Sequence, residues 1–180
     1  MFSTKNVTYI AIMTSLIIIL GMIPAIPLGF IPVPIVLQNL AIMLAALILG
    51  GKKGSLSILL FLVIGLFLPV FSASKTTLSV MMGPTAGYIV AWLFTPLLFS
   101  FLYQNSKKRQ NKFLIFALIW IAGVLWVDLL GAIWLASYTG MPLLSALASN
   151  LVFIPGDTIK ALIATIIALK LKESYIHKGH

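Results

Sequence analysis

Residues 113–138 read FLIFALIWIAGVLWVDLLGAIWLASY, and Asp128 is the one charged residue among them. A helix must supply about 20 mostly apolar residues to cross a hydrocarbon core roughly 30 Å thick. This run exceeds that length, so it predicts a transmembrane helix. The composition of the whole chain agrees with a membrane protein, because 61% of the 180 residues are hydrophobic, 8% are charged and the mean hydropathy is +1.15. Soluble domains are about half apolar and a quarter charged. We therefore expect an integral membrane protein.

Five further apolar runs accompany this helix, and the breaks between the runs fall where Gly, Pro and charged residues collect. The pattern predicts an all-α membrane protein, a bundle of six transmembrane helices that forms a single integral membrane domain over residues 1–180. The first run is interpreted as a retained helix rather than a cleaved signal peptide, because no convincing small-residue cleavage site follows it. The expected spans are approximately 7–28, 34–49, 55–71, 85–103, 113–138 and 144–172.

The basic residues indicate which ends of these helices face the cytoplasm, because cytoplasmic loops collect Lys and Arg. With six spans, ten of the twelve basic residues fall on one side, Lys75 alone falls on the other, and Lys160 lies within the last span. We therefore expect a multi-pass protein of the bacterial plasma membrane with both termini in the cytoplasm. The ten residues are Lys5, Lys52, Lys53, Lys107, Lys108, Arg109, Lys112, Lys170, Lys172 and Lys178.

The charges and motifs exclude several classes of function. The net charge is +9, but the basic residues lie in the gaps between apolar runs rather than on one surface with stacking aromatics. This distribution argues against nucleic acid as a partner. Gly50-Gly-Lys-Lys-Gly54 lacks the spacing of an ATP-binding P-loop. Without cysteine, and with His177 and His180 as the only histidines, no metal site is expected. We cannot assemble a set of acid, base and nucleophile, so we expect a binding protein without a cofactor rather than an enzyme.

The segment Phe153-Ile-Pro-Gly-Asp157-Thr-Ile-Lys160 is the most informative in the chain. A charge at the bilayer centre costs about 2.5–3.5 kcal/mol on insertion scales, so such residues usually face a cavity or a partner. If the chain is helical after Gly156, Asp157 and Lys160 lie one turn apart on one face, and Pro155 and Gly156 can interrupt the helix just before them. The pair is either an ion pair that stabilises packing or a ligand clamp. In a clamp, the ammonium would take a carboxylate and the aspartate would accept N–H donors.

Three other polar residues are candidate ligand contacts, each with a structural alternative. Tyr88 ends the motif Gly83-Pro-Thr-Ala-Gly87-Tyr88, which either packs helices tightly or contacts a ligand. Gln38 enters the second span, where a lone glutamine more often forms an interhelical hydrogen bond than a ligand contact. Asp128 could pair with Lys160 or touch the ligand. Lys75 is expected to be simply solvated.

Six motifs follow one another along nearly the whole chain. They are Ile31-Pro-Val-Pro34-Ile-Val-Leu-Gln38, Gly50-x-x-x-Gly54, Leu68-Pro-Val-Phe71, Gly83-Pro-Thr-Ala-Gly87-Tyr88, Trp134-Leu-Ala136 and Phe153-Ile-Pro-Gly-Asp157-Thr-Ile-Lys160. No single motif is specific, but the ordered set resembles the BioY family. The members of that family are the biotin-specific S components of energy-coupling-factor (ECF) transporters.

This resemblance implies a six-helix S component, without catalytic activity, that captures biotin from outside. The implied partners are one transmembrane coupling protein and two ATPase subunits, with membrane lipid around the bundle. The ligand site of the family carries over to Tyr88, Asp157 and Lys160. Tyr88 or a tryptophan, of which Trp134 is the candidate, would cover the ring of the ligand.

The resemblance also implies roles for two regions outside the ligand site. The first loop, with Pro32 and Pro34, would act as a lid. Ala11 and Ser15 would contact the coupling protein through a small-xxx-small face of the first helix. S components typically carry Ala at both places, so Ser15 is a departure, although a conservative one in size. Ala86 replaces the usual second glycine of a Gly-Pro-Thr-Gly-Gly motif, and we expect it to alter packing more than specificity.

Two other functions fit the same residues. An S component for a different small vitamin would not need the pair of Asp157 and Lys160. A stand-alone, proton-coupled secondary transporter would use Asp128 or Asp157 as a proton relay. Uptake that persists without ATPase partners and collapses with the proton gradient would favour the secondary transporter.

Overall fold

The computed structural model describes residues 3–106 and 111–177. The basic residues Lys107, Lys108, Arg109 and Lys178, on which the expected orientation partly rests, lie outside the described residues. Within the described ranges the chain is helical, and its only extended pairings are two isolated backbone bridges in loops. The all-α membrane class predicted from the apolar runs is therefore the observed one.

Apolar helices follow one another along the chain, and two of them contain a π-helical segment. The helices are α1 (Thr4–Met22), α2 (Gln38–Leu44, continued by the π-helical Ala45–Leu49), α3 (Gly51–Phe67), α4 (Thr77–Met81), α5 (Ala86–Gln104), α6 (Lys112–Trp120, continued by the π-helical Ile121–Leu125), α7 (Trp126–Thr139), α8 (Leu143–Asn150) and α9 (Phe153–His177).

By length and composition, three helical stretches of the described chain can each cross a membrane: α1, α5 and the continuous stretch Lys112–Thr139. A fourth crossing arises if α8 and α9, which meet at a bend of 49°, count as one broken span. The α2 stretch Gln38–Leu49 and α3, with 17 residues, are shorter. The count of six spans therefore remains a prediction. It requires α2 and α3 to cross the membrane as well, and the sequence had predicted that both would be short.

The ends of several helices differ from the expected ones for identifiable reasons. α1 stops at Met22 because Pro24 and Pro27 follow it, and proline cannot continue the hydrogen-bond pattern of a helix. The last span is broken near Leu151, so α9 already begins at Phe153. Pro155 therefore sits inside the first turn of α9, where its missing N–H would have no partner in any case. The interruption expected at Pro155 and Gly156 thus lies earlier, at Leu151 and Val152.

α2 lies in the centre of the bundle. It contacts α1, α5 and α9, and Ala41, Ile42 and Met43 are completely buried. Glycine elsewhere allows α5 and α7 to pack closely, since a Cβ on Gly131 of α7 would overlap the Tyr88 ring of α5. Gln38 and Asn39 are thereby held inside the protein rather than exposed to lipid.

Two irregular loops cover one end of the bundle. In the first loop, residues 23–37, Ile26 and Ile35 exchange backbone hydrogen bonds of 2.9 Å and close a hairpin. In the second loop, residues 68–76, the amide of Phe71 donates to the carbonyl of Lys75 at 3.1 Å. A capping box formed by Thr76 and Ser79 then starts α4. The two loops together bound the site described below.

Candidate functional site

A cavity of about 120 Å³, measured as the space open to the centres of water-sized molecules, lies beneath the two loops. Helices α2, α5, α7 and α9 form its walls. Most of the residues singled out from the sequence line it: Pro32, Pro34, Gln38, Tyr88, Asp128, Asp157 and Lys160. The topology has thus brought side chains from five separate regions of the chain into one cavity.

Asp157 and Lys160 form a buried ion pair on the cavity face of α9. The Nζ atom of Lys160 lies 2.6 Å from Oδ1 of Asp157, and each residue is 8% exposed. Lys160 also donates to the backbone carbonyl of Val36 in the first loop at 2.7 Å. An ammonium group has three donors, and these two bonds use two of them. Lys160 therefore links the loop to the ion pair and keeps one N–H donor beyond these two bonds.

Asn39 joins three elements at the base of the site. Its Nδ2 donates to Oδ2 of Asp157 at 3.1 Å and to the carbonyl of Gly123 at 3.3 Å. The Oδ1 atom of Asn39 is buried and has no hydrogen-bond partner within the described chain. The sequence analysis missed this residue, although a polar side chain inside an apolar span was a usable signal.

Tyr88 and Asp128 meet through Asn150, the last residue of α8. The Tyr88 hydroxyl donates to Oδ1 of Asn150 at 2.7 Å, and Nδ2 of Asn150 donates to the backbone carbonyl of Asp128 at 2.7 Å. Asp128 does not pair with Lys160, whose ion-pair partner is Asp157. Its Oδ2 atom is buried and without a partner among residues 3–106 and 111–177. Of the two expected possibilities for Asp128, the geometry leaves ligand contact open.

Aromatic side chains form the apolar part of the cavity wall. Phe153 meets Tyr88 edge-on, with ring centroids 6.2 Å apart, and Phe71 and Trp92 complete the wall. Trp92 is 4% exposed, and its indole Nε1 has no acceptor in the described part of the protein. Trp92 was not among the residues predicted from the sequence, because an indole within an apolar helix is usually a packing residue.

Gln38 plays the structural role that its sequence context suggested, while also lining the cavity. Its Nε2 donates to the carbonyl of Ile17 in α1 at 3.2 Å. The side chain is 1% exposed. Gln38 therefore forms an interhelical hydrogen bond, and its side-chain amide borders the site.

Trp134 does not line the cavity, contrary to the prediction. It is 39% exposed, and its indole N–H donates at 3.0 Å to the carbonyl of Gly83. The reason is helical geometry: at about 100° per residue, six residues leave two side chains about 120° apart around a helix, so Trp134 lies on a different face from Asp128. Ala11 and Ser15 lie far along α1 on its exposed face and take no part in the cavity.

The site combines an apolar, aromatic enclosure with a few buried polar atoms that lack partners. Asn39 Oδ1 and Asp128 Oδ2 can accept hydrogen bonds, and Trp92 Nε1 can donate one. Buried polar atoms are rarely left unpaired, and these three belong to residues that line the cavity, which makes the cavity a candidate ligand site. In the described ranges no three His, Cys, Asp or Glu residues are grouped closely enough to hold a metal ion. The arrangement suits binding of a small, partly polar organic molecule.

Comparisons with known proteins point in the same direction. The model of the BioY family matches residues 1–177. The chain is 47% identical over 172 residues to a biotin transporter BioY of Lactococcus lactis subsp. cremoris, covering 94% of this chain and 91% of that protein. It is 32% identical over 179 residues to a biotin transporter BioY of Rhizobium etli, covering 96% of each.

A solved structure extends the similarity to the fold. The crystal structure of the S component for biotin from an ECF-type ABC transporter superposes with a TM-score of 0.90 and 45% sequence identity, covering 96% of this chain and 95% of that one. The similarity thus spans both sequence and fold and includes the elements that build the cavity. The chain belongs to the BioY family.

Proposed function

We propose that this chain is the substrate-binding (S) subunit of an ECF-type, ATP-driven importer and that it captures biotin. The observation that carries the proposal is a cavity lined by aromatic side chains and by Asn39, Trp92 and Asp128, each of which has a buried polar atom without a partner in the described chain. The similarity to biotin transporters and to an S component for biotin supports the choice of ligand. The activity assigned to the chain itself is binding.

The unpartnered atoms match the polar head of biotin in kind and number. The ureido group of biotin has two N–H donors and one carbonyl acceptor. Asn39 Oδ1 and Asp128 Oδ2 supply two acceptors, and Trp92 Nε1 supplies one donor. The apolar bicycle of the ligand would pack against Tyr88 and the other aromatic rings. Each polar group of the head would then find a partner in the site.

The remaining site assignments are also part of this proposal. Asp157 and Lys160 complete the polar wall, and Gln38 borders it. The first loop acts as a lid, because Pro32 and Pro34 line the cavity and Val36 accepts a hydrogen bond from Lys160. Trp134 is left out of the site.

The topology proposed for the protein has six crossings in one domain, with both termini in the cytoplasm of a bacterial cell. α2 and α3 are the two short crossings. The exposed small residues Ala11 and Ser15 of α1 form the face for the transmembrane coupling protein, which joins the chain to two ATPase subunits. Membrane lipid covers the other apolar faces.

Equilibrium binding of biotin to the purified protein tests the proposal. We expect sub-micromolar affinity for the native chain and a loss of about 10-fold or more for Asp157→Asn and Lys160→Ala, because each change leaves a buried partner unpaired. Lys52→Ala, an exposed lysine away from the cavity, is the control and should bind as the native chain does. Micromolar or absent binding by well-folded native protein would contradict the choice of biotin.

A further inference from the structure

A second cavity adjoins the first at the loop-covered end of the bundle. It has about 470 Å³ of space by the same measure and lies between the first loop and the loop of residues 68–76. Pro34, Phe71, Ser72 and Lys75 line both cavities, so these residues form the partition between them. We call the second cavity the vestibule. Its other lining residues are Met22, Pro24, Ala25, Pro27, Pro69, Ala73 and Ser74.

Lys75 is the charged residue of this region. Prolines and small or apolar residues form most of the vestibule, and Lys75 is its one ionisable lining residue. The loop sequences 23–37, 68–85 and 139–152 contain no Asp or Glu and no basic residue besides Lys75. The described side chains place no ion-pair partner on Lys75, whereas Lys160 is neutralised by Asp157. Lys75 is therefore the one charged residue that lines the vestibule, and its side chain is exposed, as the sequence led us to expect.

The backbone holds Lys75 at the partition. The carbonyl of Lys75 accepts a hydrogen bond from the amide of Phe71, which closes a tight loop. Within that loop Ala73 and Ser74 both have positive φ angles, of 56° and 53°. Such conformations are costly for residues other than glycine and persist only where the surrounding structure maintains them. The loop is thus a constrained turn that presents Lys75 to both cavities.

We propose that the vestibule is the access route to the binding cavity and that Lys75 attracts the carboxylate of the incoming ligand there. This inference rests on the proposed function, because it needs a ligand that carries a carboxylate. A positive charge in a cleft with low-dielectric walls raises the local concentration of anions and so raises the association rate. Its effect should appear in the association rate constant more than in the dissociation rate constant.

The experiment measures association and dissociation rates of biotin and of its neutral carboxamide, using the full chain in an uncharged detergent. Lys75→Gln removes the charge, Lys75→Glu reverses it, and Lys52→Gln removes an equal charge at the opposite end of the bundle. At low salt we expect Lys75→Gln to slow the association of biotin about 3-fold and Lys75→Glu to slow it further. Association of the carboxamide should change less than 2-fold, and half-molar salt should remove the difference.

The possible outcomes separate this inference from the proposed function. Slower association of biotin alone, with salt sensitivity and an unchanged dissociation rate, supports the role of Lys75. Three results would overturn it while leaving biotin binding in place. They are equal association rates for Lys75→Gln and Lys52→Gln, equal slowing of biotin and carboxamide, and a change confined to the dissociation rate. Failure of the native chain to bind biotin would overturn the proposed function and this inference together.

Discussion

At the scale of single residues, charge is the property that a sequence reveals most directly. Asp157 and Lys160 stood out because charges are costly inside apolar runs, and both line the cavity. Asn39 and Trp92 did not stand out, since neutral polar groups in membrane helices often serve packing. They became candidate site residues only when the structure showed that Asn39 Oδ1 and Trp92 Nε1 are buried without partners in the described chain.

Asn39→Ala tests the residue that the sequence analysis missed. The change removes the acceptor Oδ1 and also the donor that holds Oδ2 of Asp157. We expect biotin affinity to fall about 10-fold, a size typical of one buried polar group left unpaired. Isothermal titration calorimetry measures this. Asn111→Ala, which alters only the N-cap of α6, is the control and should retain native affinity; equal affinity for both variants would exclude Asn39 from the site.

Gly131→Ala tests the placement of Tyr88. A methyl group at position 131 would overlap the Tyr88 ring, so the ring must move and its hydrogen bond to Asn150 is lost. We expect biotin affinity to fall about 10-fold or more, together with a lower melting temperature, because overpacking costs typically 1–3 kcal/mol. Gly156→Ala is the matched control, since a methyl group there meets no atom within 4 Å. Tight binding by Gly131→Ala would show that the position of Tyr88 does not matter.

At the scale of elements, the apolar lengths and the breaks predicted the helices but not their irregular parts. Length and composition located α5 and the stretch Lys112–Thr139 within a few residues. The π-helical segments at Ala45–Leu49 and Ile121–Leu125 carry no local signal, because packing against neighbouring helices decides them. The second segment supplies the Gly123 carbonyl that orients Asn39. A contact of the candidate site thus depends on an irregularity that periodicity cannot reveal.

Thr95→Val tests how the second π-helical segment is supported. The hydroxyl of Thr95 is completely buried and lies 3.0 Å from the carbonyl of Ala91 in its own helix and 3.1 Å from the carbonyl of Ala122 in that segment. Removing this donor should lower the free energy of unfolding by about 1 kcal/mol, which thermal unfolding in detergent can measure. Thr165→Val is the control, because the Thr165 hydroxyl bonds only the carbonyl of Ala161 within its own helix. Equal melting temperatures for the two variants would contradict the prediction.

At the scale of the whole molecule, the ordered motifs predicted the family, which similarity along nearly the full chain confirms. The positions of lysine and arginine predict orientation, which depends on a bilayer rather than on contacts within the chain. The expected arrangement places the cavity and its two loops outside.

Cysteine labelling tests this orientation, and the absence of native cysteine makes single substitutions specific. Ser145→Cys lies at the cavity end of the bundle and Lys52→Cys at the opposite end, and both positions are exposed. A membrane-impermeant maleimide should label Ser145→Cys in intact cells and Lys52→Cys only after permeabilisation. The reverse pattern would place the cavity in the cytoplasm.

The double hydrogen bonding of Lys160 has a consequence for the timing of capture. The same ammonium group binds Asp157 and the Val36 carbonyl of the first loop, so it joins the cavity wall to the lid. A ligand atom that competes for this ammonium would weaken its bond to the loop, and a ligand that reinforces the pair would strengthen it. Where the ligand changes the stability of this bond, linkage requires the reciprocal effect: breaking the bond by moving the loop alters ligand affinity by the same free energy. Through Lys160, a partner protein that moves the first loop would then lower the affinity for the ligand without contacting the ligand.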